Sequence, residues 1–243
     1  MARSRPPDRF QQLRDAALQV FGAKGLRRTR MADIAEAMGV APGSLYNYVE
    51  SKEALFHWIL THEGDDAAEP AELPIRSPAP GVLEAQLRAQ IESGFHLPVS
   101  DAAFARRRVA DAEAELSALV TEIYERISIH RRVMTIVERS AIDLPELFQI
   151  YFVEMRRNYF ARFASYVERR QKTGQFRDGI HPVVAARVVV ELVTYFARHR
   201  FGDQDPGSLP GDAVVRENVI RLAVASLLAR TPEPTPRTPR RRT

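Results

Sequence analysis

Residues 31–55, MADIAEAMGVAPGSLYNYVESKEAL, hold two short helical patterns separated by a tight corner. Met31, Ile34, Ala35 and Met38 fall at i, i+3, i+4 and i+7, one apolar helix face, while Asp33, Glu36 and Ala37 lie off it. Gly39 follows, where a left-handed backbone ends a helix and only glycine escapes a Cβ penalty. Val40 fills the corner. Pro42 suits the first turn of a second helix, where its missing N–H has no intrahelical partner to lose. Leu45 and Val49, four apart, point inward, which leaves Pro42, Gly43, Ser44, Tyr46, Asn47 and Tyr48 on the outer faces. Ser51 is placed to cap a third helix, whose first turn offers backbone N–H groups and the Lys52 ammonium to an anion. Two helices around a short glycine-containing corner have the helix-turn-helix geometry that seats the second helix in a DNA major groove.

With these residues in view, positions 8–60 resemble the N-terminal domain of the tetracycline-repressor (TetR) family of bacterial transcription regulators. The resemblance rests on Phe21 and Gly25, on Asp33-Ile34-Ala35 and Gly39-Val40, and on Gly43-Ser44-Leu45-Tyr46-Asn47-Tyr48 followed by Ser51-Lys52-Glu53-Ala54-Leu55. It implies an all-α protein, with a three-helix DNA-binding domain followed by a larger helical ligand-binding and dimerisation domain of divergent sequence. The departures are specific. Arg30 stands where the family has a threonine cap, with Thr29 one residue earlier, and Ala41 opens the second helix without a side-chain acceptor. Val49 replaces a usual phenylalanine.

The contact chemistry follows residue type. Asn47 suits an adenine edge, Ser44 either kind of base, and Pro42 and Tyr46 a surface against thymine methyls, with Gly43 beside them on the DNA-binding face. By analogy with the family, Tyr48, Lys52, Thr29 and Arg30 are assigned to phosphates.

On either side the chain divides by composition. Residues 1–7 read as a disordered basic arm, 8–63 as the helix-turn-helix domain, with a first helix ending at Gly25, and 64–81, with four prolines, as an exposed linker. Residues 82–230 read as the helical body and the Pro-rich 231–243 as a disordered basic tail. Within the body, helices are predicted near 82–96, 101–118, 119–140, 145–172, 182–201 and 213–229, with Asp143 and Glu146 as a capping box. The segments 182–201 and 213–229 are more apolar than one buried face requires. In the family the last two helices form a four-helix bundle with their mates, so a homodimer through them is expected.

Composition limits the function classes. The 243 residues carry a net charge of +4, split as +2 over residues 1–63, −1 over 64–230 and +3 over 231–243, so basic excess sits at the reader and the tail. The chain has no cysteine, which removes disulfides and thiolate metal sites; no metal and no cofactor are expected. No apolar run is long enough to span a membrane, and MARSRPPDRF lacks a signal-peptide core, so a cytoplasmic location is expected. The sequence motifs of zinc peptidases, serine hydrolases and nucleotide-binding loops are missing, and no enzyme activity is expected. The body is aromatic-rich, like family members that bind lipophilic compounds. Phe95, Phe104, Tyr124, Phe148, Tyr151, Phe152, Met155 and Tyr159 are the candidate pocket residues, and the effector is expected to be small and lipophilic. A ligand-responsive repressor on double-stranded operator DNA is the reading these features favour. The rival is an architectural helix-turn-helix protein without a small-molecule switch, which would have a solid core where the regulator has a ligand-sized void.

Overall fold

The computed structural model describes residues 9–62, 70, 72–79, 81–82, 84–86, 88–89, 97–205 and 207–229. The expected arm, the tail, most of residues 63–71 and Phe95 lie outside them. Among the described residues the architecture is all-α, with two isolated β-bridges and no strand. No helix there is long and apolar enough to cross a membrane.

The reader consists of α1 (Arg9–Arg28), α2 (Met31–Met38), the recognition segment Pro42–Asn47, wound as a 3-10 helix, and α3 (Lys52–Thr61). Phe10, Leu13, Ala17 and Phe21 of α1 meet Ile34 and Ala35 of α2, Leu45, Val49, and Leu55, Phe56 and Ile59 of α3 in one buried cluster. Edge-on ring contacts of Phe10 with Trp58 and of Phe21 with Phe56, centroids 4.7 and 5.3 Å apart, lock α1 against α3. Gly39 ends α2 in the left-handed region at φ 68°, and its N–H reaches back to the last turn.

The body begins with α4 (Pro98–Ala105) and α5 (Ala112–Ala141). Next comes one helical rod made of α6 (Pro145–Phe148), a π-wound segment Gln149–Arg157, and α7 (Asn158–Lys172). Helices α8 (Pro182–Ala197) and α9 (Asp212–Leu227) complete it. Phe104, Leu116, Leu119, Val120, Ile123, Phe163, Tyr166, Val189, Val193 and Val219 form its core.

Several expectations are corrected. The break predicted between 118 and 119 is not there: α5 runs 30 residues without interruption, and the true break is at 106–111. Asp111 caps α5 by accepting from the Ala114 N–H at 2.9 Å. The turn before it is held from within by Arg170, whose guanidinium donates to the carbonyls of Arg106 and Arg107 and to Glu115. That long-range tie is invisible to local spacing. The Asp143–Glu146 capping box does not form either, because Asp143 pairs with Arg28 at 3.1 Å and the cap position falls on Leu144 without a side-chain bond. The described part of the expected exposed linker folds back on the reader. Ile75 N donates to Tyr48 O at 2.8 Å, Glu50 N donates to Ile75 O at 2.9 Å, and the Ser77 N–H donates to the Glu50 carboxylate. Apolar Leu73 and Ile75, in the middle of a Pro-rich run, are what dock it.

Helix α5 joins the two halves. At roughly 1.5 Å per residue it spans about 45 Å, and its two ends lie in different cores. Leu116, Leu119 and Ile123 belong to the body, whereas Val133, Ile136, Val137 and Ala141 sit in the reader's cluster with α1. Reader and body therefore share a continuous apolar seam along α1 and α5. The principal contact between the two halves is α1 on α5.

Candidate DNA interface and ligand cavity

The recognition segment presents the predicted surface. Ala41 starts it without a side-chain cap, and Pro42 occupies its first turn. Leu45 and Val49 are fully buried, and this burial turns Pro42, Gly43, Ser44, Tyr46 and Asn47 outward. Tyr46 is 53% exposed, so it is free for contact, while Tyr48 is half-buried against the reader's core. Asn47 Nδ2 leans on Ser44 O at 3.3 Å, which orients the amide on the open face.

The residues assigned to phosphates separate into two groups. Arg30 is exposed at the start of α2. An arginine has no acceptor and cannot cap a helix in the way a threonine does; instead the Arg30 backbone N–H donates to Asp33 Oδ2 at 2.8 Å, the reverse half of a capping box. Thr29 is buried at 1% exposure, with its hydroxyl donating to Gly25 O at 2.7 Å, so it closes the end of α1 and does not face a phosphate. Lys52 is also corrected. Its Nζ donates to Leu26 O, Arg27 O and Thr29 O at 3.0, 3.1 and 2.7 Å, which uses all three of its donors on the carbonyl end of α1. Ser51 caps α3 through a 3.0 Å bond from the Ala54 N–H, as its position predicts. A shallow basic cleft beside Arg30 collects Lys24, Arg28 and Arg139, with Asp33 paired to Lys24 at 2.9 Å. The sequence places Arg28 in a basic turn near a passing phosphate backbone, whereas Lys24 and Arg139 carried no such signal, since only folding brings α5 beside α1.

Behind the reader lies a cavity of about 410 Å³ between α5, the π-wound segment, α7 and α8. Its apolar wall is built from Ile123, Ile127 and Met134 of α5, with Met155, Phe160 and Val190. Of the candidate pocket residues it gathers Tyr151, Met155 and Tyr159, which lie at i, i+4 and i+8 and so share one face of the rod. The others go elsewhere. Phe104 is buried in an aromatic stack with Tyr159, Phe163 and Tyr166, centroids 5.5–5.8 Å away. Tyr124 is buried beside Arg200, Asp212 and Arg216, away from the void. Phe148 is 46% exposed and stacks on Phe152 at 5.0 Å, so neither reaches the cavity. Aromatic side chains at helical spacing mark a core, and which of them border a void depends on partners from other helices.

Beyond Glu154 and Arg156, polar residues on otherwise apolar helices, the polar lining carried no signal in the sequence. Arg88, Arg126, Arg156, Arg162 and Arg198 reach the cavity, with Glu154, Asn158 and Thr194. Arg88 pairs with Glu154 near the exposed mouth, Arg156 with Glu191 at 2.6 Å, and Arg162 with Asp101 at 2.5 Å. Deeper in, Tyr151 is buried and borders both the cavity and the reader's cluster. Burial pushes its phenol pKa up, with Glu138 adding to the rise against the pull of Arg198. It stays protonated and able to donate.

Comparison with known proteins agrees with this arrangement. Residues 13–59 match the family described as bacterial regulatory proteins, tetR family. The HTH-type transcriptional repressor KstR2 of Rhodococcus jostii (strain RHA1) is 28% identical over 209 residues, covering 85% of this chain and 85% of that protein. The HTH-type transcriptional regulator LuxR of Vibrio harveyi is 40% identical over 57 residues, 24% of this chain and 28% of that one. The solved structure of the ketosteroid transcriptional regulator KstR2 of Mycobacterium tuberculosis shares the fold with a TM-score of 0.55 at 16% identity, covering 93% of this chain and 98% of that one. The helix-turn-helix reader thus matches the tetR family of bacterial regulatory proteins over residues 13–59, and the chain resembles a transcriptional repressor along 85% of its length.

Proposed function

We propose that this protein is a repressor that binds a palindromic operator as a homodimer and is released by a small lipophilic effector held in the cavity between α5, α7 and α8. The observation that carries the reading is that cavity: a ligand-sized void, mostly apolar, with α5 running from its wall into the reader's core. An architectural protein has no use for such a void. The repressor role is supported by the Rhodococcus jostii relative, whose name describes a repressor. Dimerisation is supported by the last two helices, where Val183, Val184, Val188, Tyr195, Val214 and Leu222 are exposed on an otherwise packed pair. A stripe of this kind is what a two-fold four-helix interface covers. Two recognition segments one DNA turn apart, ~34 Å, then read the two halves of a palindrome.

The test is binding of the purified protein to a labelled fragment from upstream of its own gene across a salt series, beside Asn47→Ala and Leu222→Arg. Sequence-selective binding that persists above ~150 mM salt, weakens in N47A and is lost together with the dimer in L222R supports the reading. Equal binding to every sequence, vanishing with salt and indifferent to Asn47, returns the weight to the architectural rival.

A further inference from the structure

Arg198, the residue that ends α8, borders the cavity and is 5% exposed. Its Nη2 donates to Glu138 and lies 3.0 Å from His199 Nε2. Its Nε and Nη1 are shut off from solvent and make no hydrogen bond of ordinary geometry, although the Tyr151 hydroxyl lies close enough to feel the guanidinium. Buried donors of a charged group are costly to leave unmade, and native proteins rarely leave them so without a reason. Arg88, Arg156 and Arg162 each meet a carboxylate too, but of these four lining arginines only Arg198 combines its carboxylate with buried nitrogens left without an ordinary hydrogen bond. Tyr151, a buried phenol kept protonated, and Thr194 border the same inner end. The apolar part of the wall is made by Ile123, Ile127, Met134, Met155, Phe160 and Val190.

We propose that Arg198 anchors the polar end of the effector, and that the effector is a lipophilic acid whose carboxylate takes the guanidinium's unmade donors while its hydrocarbon lies along Ile123, Ile127 and Met155. This rests on the effector reading above and deepens it. A charge-assisted bond to an anion is stronger than one to a neutral oxygen. The lining also carries five arginines against one glutamate, and although Glu138, Glu191 and Asp101 offset part of that charge from behind, the field at the inner end favours an anion over a neutral ligand. The anchor is also well placed to signal. Glu138, the present partner of Arg198, is followed on α5 by Arg139, which donates to Ala23 O, and by Ser140, which accepts from Leu26 N. A ligand that draws Arg198 off Glu138 acts on the turn of α5 that holds the reader.

The experiment is calorimetric titration with dodecanoate and with dodecanol, of the wild type, Arg198→Gln, the double variant Arg198→Gln/Glu138→Gln, and Ile127→Trp. The double variant leaves no lone carboxylate behind, and circular dichroism checks each fold. Dodecanoate is expected to bind the wild type at least about tenfold more tightly than dodecanol. That preference is expected to fall to near unity in both Arg198 variants, with neither probe binding I127W. Equal binding of the two probes by the wild type, abolished in I127W, sinks the acid anchor but leaves the effector reading standing. A preference that survives in the Arg198 variants sinks the anchor role. If the wild type binds neither probe, both the anchor and the lipophilic-effector reading fail.

Discussion

The backbone N–H of Leu26 donates to Ser140 Oγ at 3.0 Å in a fully buried bond between residues 114 apart in sequence. Leu26 belongs to the last turn of α1 in the reader, and Ser140 to the last turn of α5, whose other end is in the body. One hydroxyl thus satisfies a donor that the kink at Gly25 takes out of the helical ladder. Ser140→Ala leaves that donor buried without a partner, and a loss of about 1–3 kcal/mol is expected. Urea denaturation measures it. Because the bond joins reader to body, operator affinity is expected to lose part of its dependence on effector even where stability is restored by low temperature.

Gly25 makes the kink itself. Its φ of 75° and ψ of 167° belong to a region essentially reserved for glycine, and an added Cβ would lie 3.1 Å from Arg139 O. Gly25→Ala therefore meets both backbone strain and the main chain of α5. A destabilisation of about 1–3 kcal/mol is expected, with the reader displaced from α5. Thermal denaturation, and increased amide exchange at residues 26–29, check this.

Lys52 separates a structural from a DNA-contacting role. Its ammonium caps the carbonyl end of α1, as a cation at a helix C-terminus should. Lys52→Met is expected to destabilise the protein by roughly 1–3 kcal/mol while leaving the salt dependence of operator binding unchanged. Arg30→Ala should do the opposite, with stability nearly intact and a salt slope reduced by about one. A reduced slope in K52M would return Lys52 to the phosphates.

Asp33 ties the start of α2 to Lys24, and its pKa is held below the ordinary 3.8, first by the bond from the Arg30 N–H and then by Lys24. A depressed carboxylate contributes stability that is present above its unfolded pKa and is lost as pH falls through its lower folded pKa, so the contribution begins to fade near pH 3.8 and vanishes further down. Asp33→Asn is expected to cost roughly 0.5–1.5 kcal/mol at neutral pH and to flatten the acid side of the stability profile. Denaturation midpoints across that range test it.

Glu115 and Arg170 form a buried pair at 2.6 Å, with the Tyr166 hydroxyl donating to the same carboxylate at 3.1 Å. Glu115→Ala strands a fully buried guanidinium, and a loss of about 3–5 kcal/mol is expected. The 106–111 turn hangs from that guanidinium, so protease cleavage within it should accelerate first.

What could be read without coordinates was what depends on near neighbours in the chain. Gly39 after an apolar face, Pro42 at a first turn, Leu45 and Val49 four apart, and Ser51 three residues before a free N–H each carry their structural consequence locally. The reader, its outward face and the all-α class were legible for that reason. What needed the folded chain depends on groups distant in sequence. Lys52 was available to a phosphate until folding placed three carbonyls of α1 around it. Thr29 was a cap candidate until Gly25 O took its hydroxyl. The 106–111 break is held by Arg170, some 60 residues away, and so a 30-residue helix read as two. The cavity shows the division most sharply. Aromatic content and family resemblance marked Tyr151, Met155 and Tyr159 together with the other body aromatics, but neither can tell a side chain against a void from one against a core. Phe104 and Tyr124 found packing partners, Tyr151 found a void, and Arg198 reached that void from another helix with two donors still unmade.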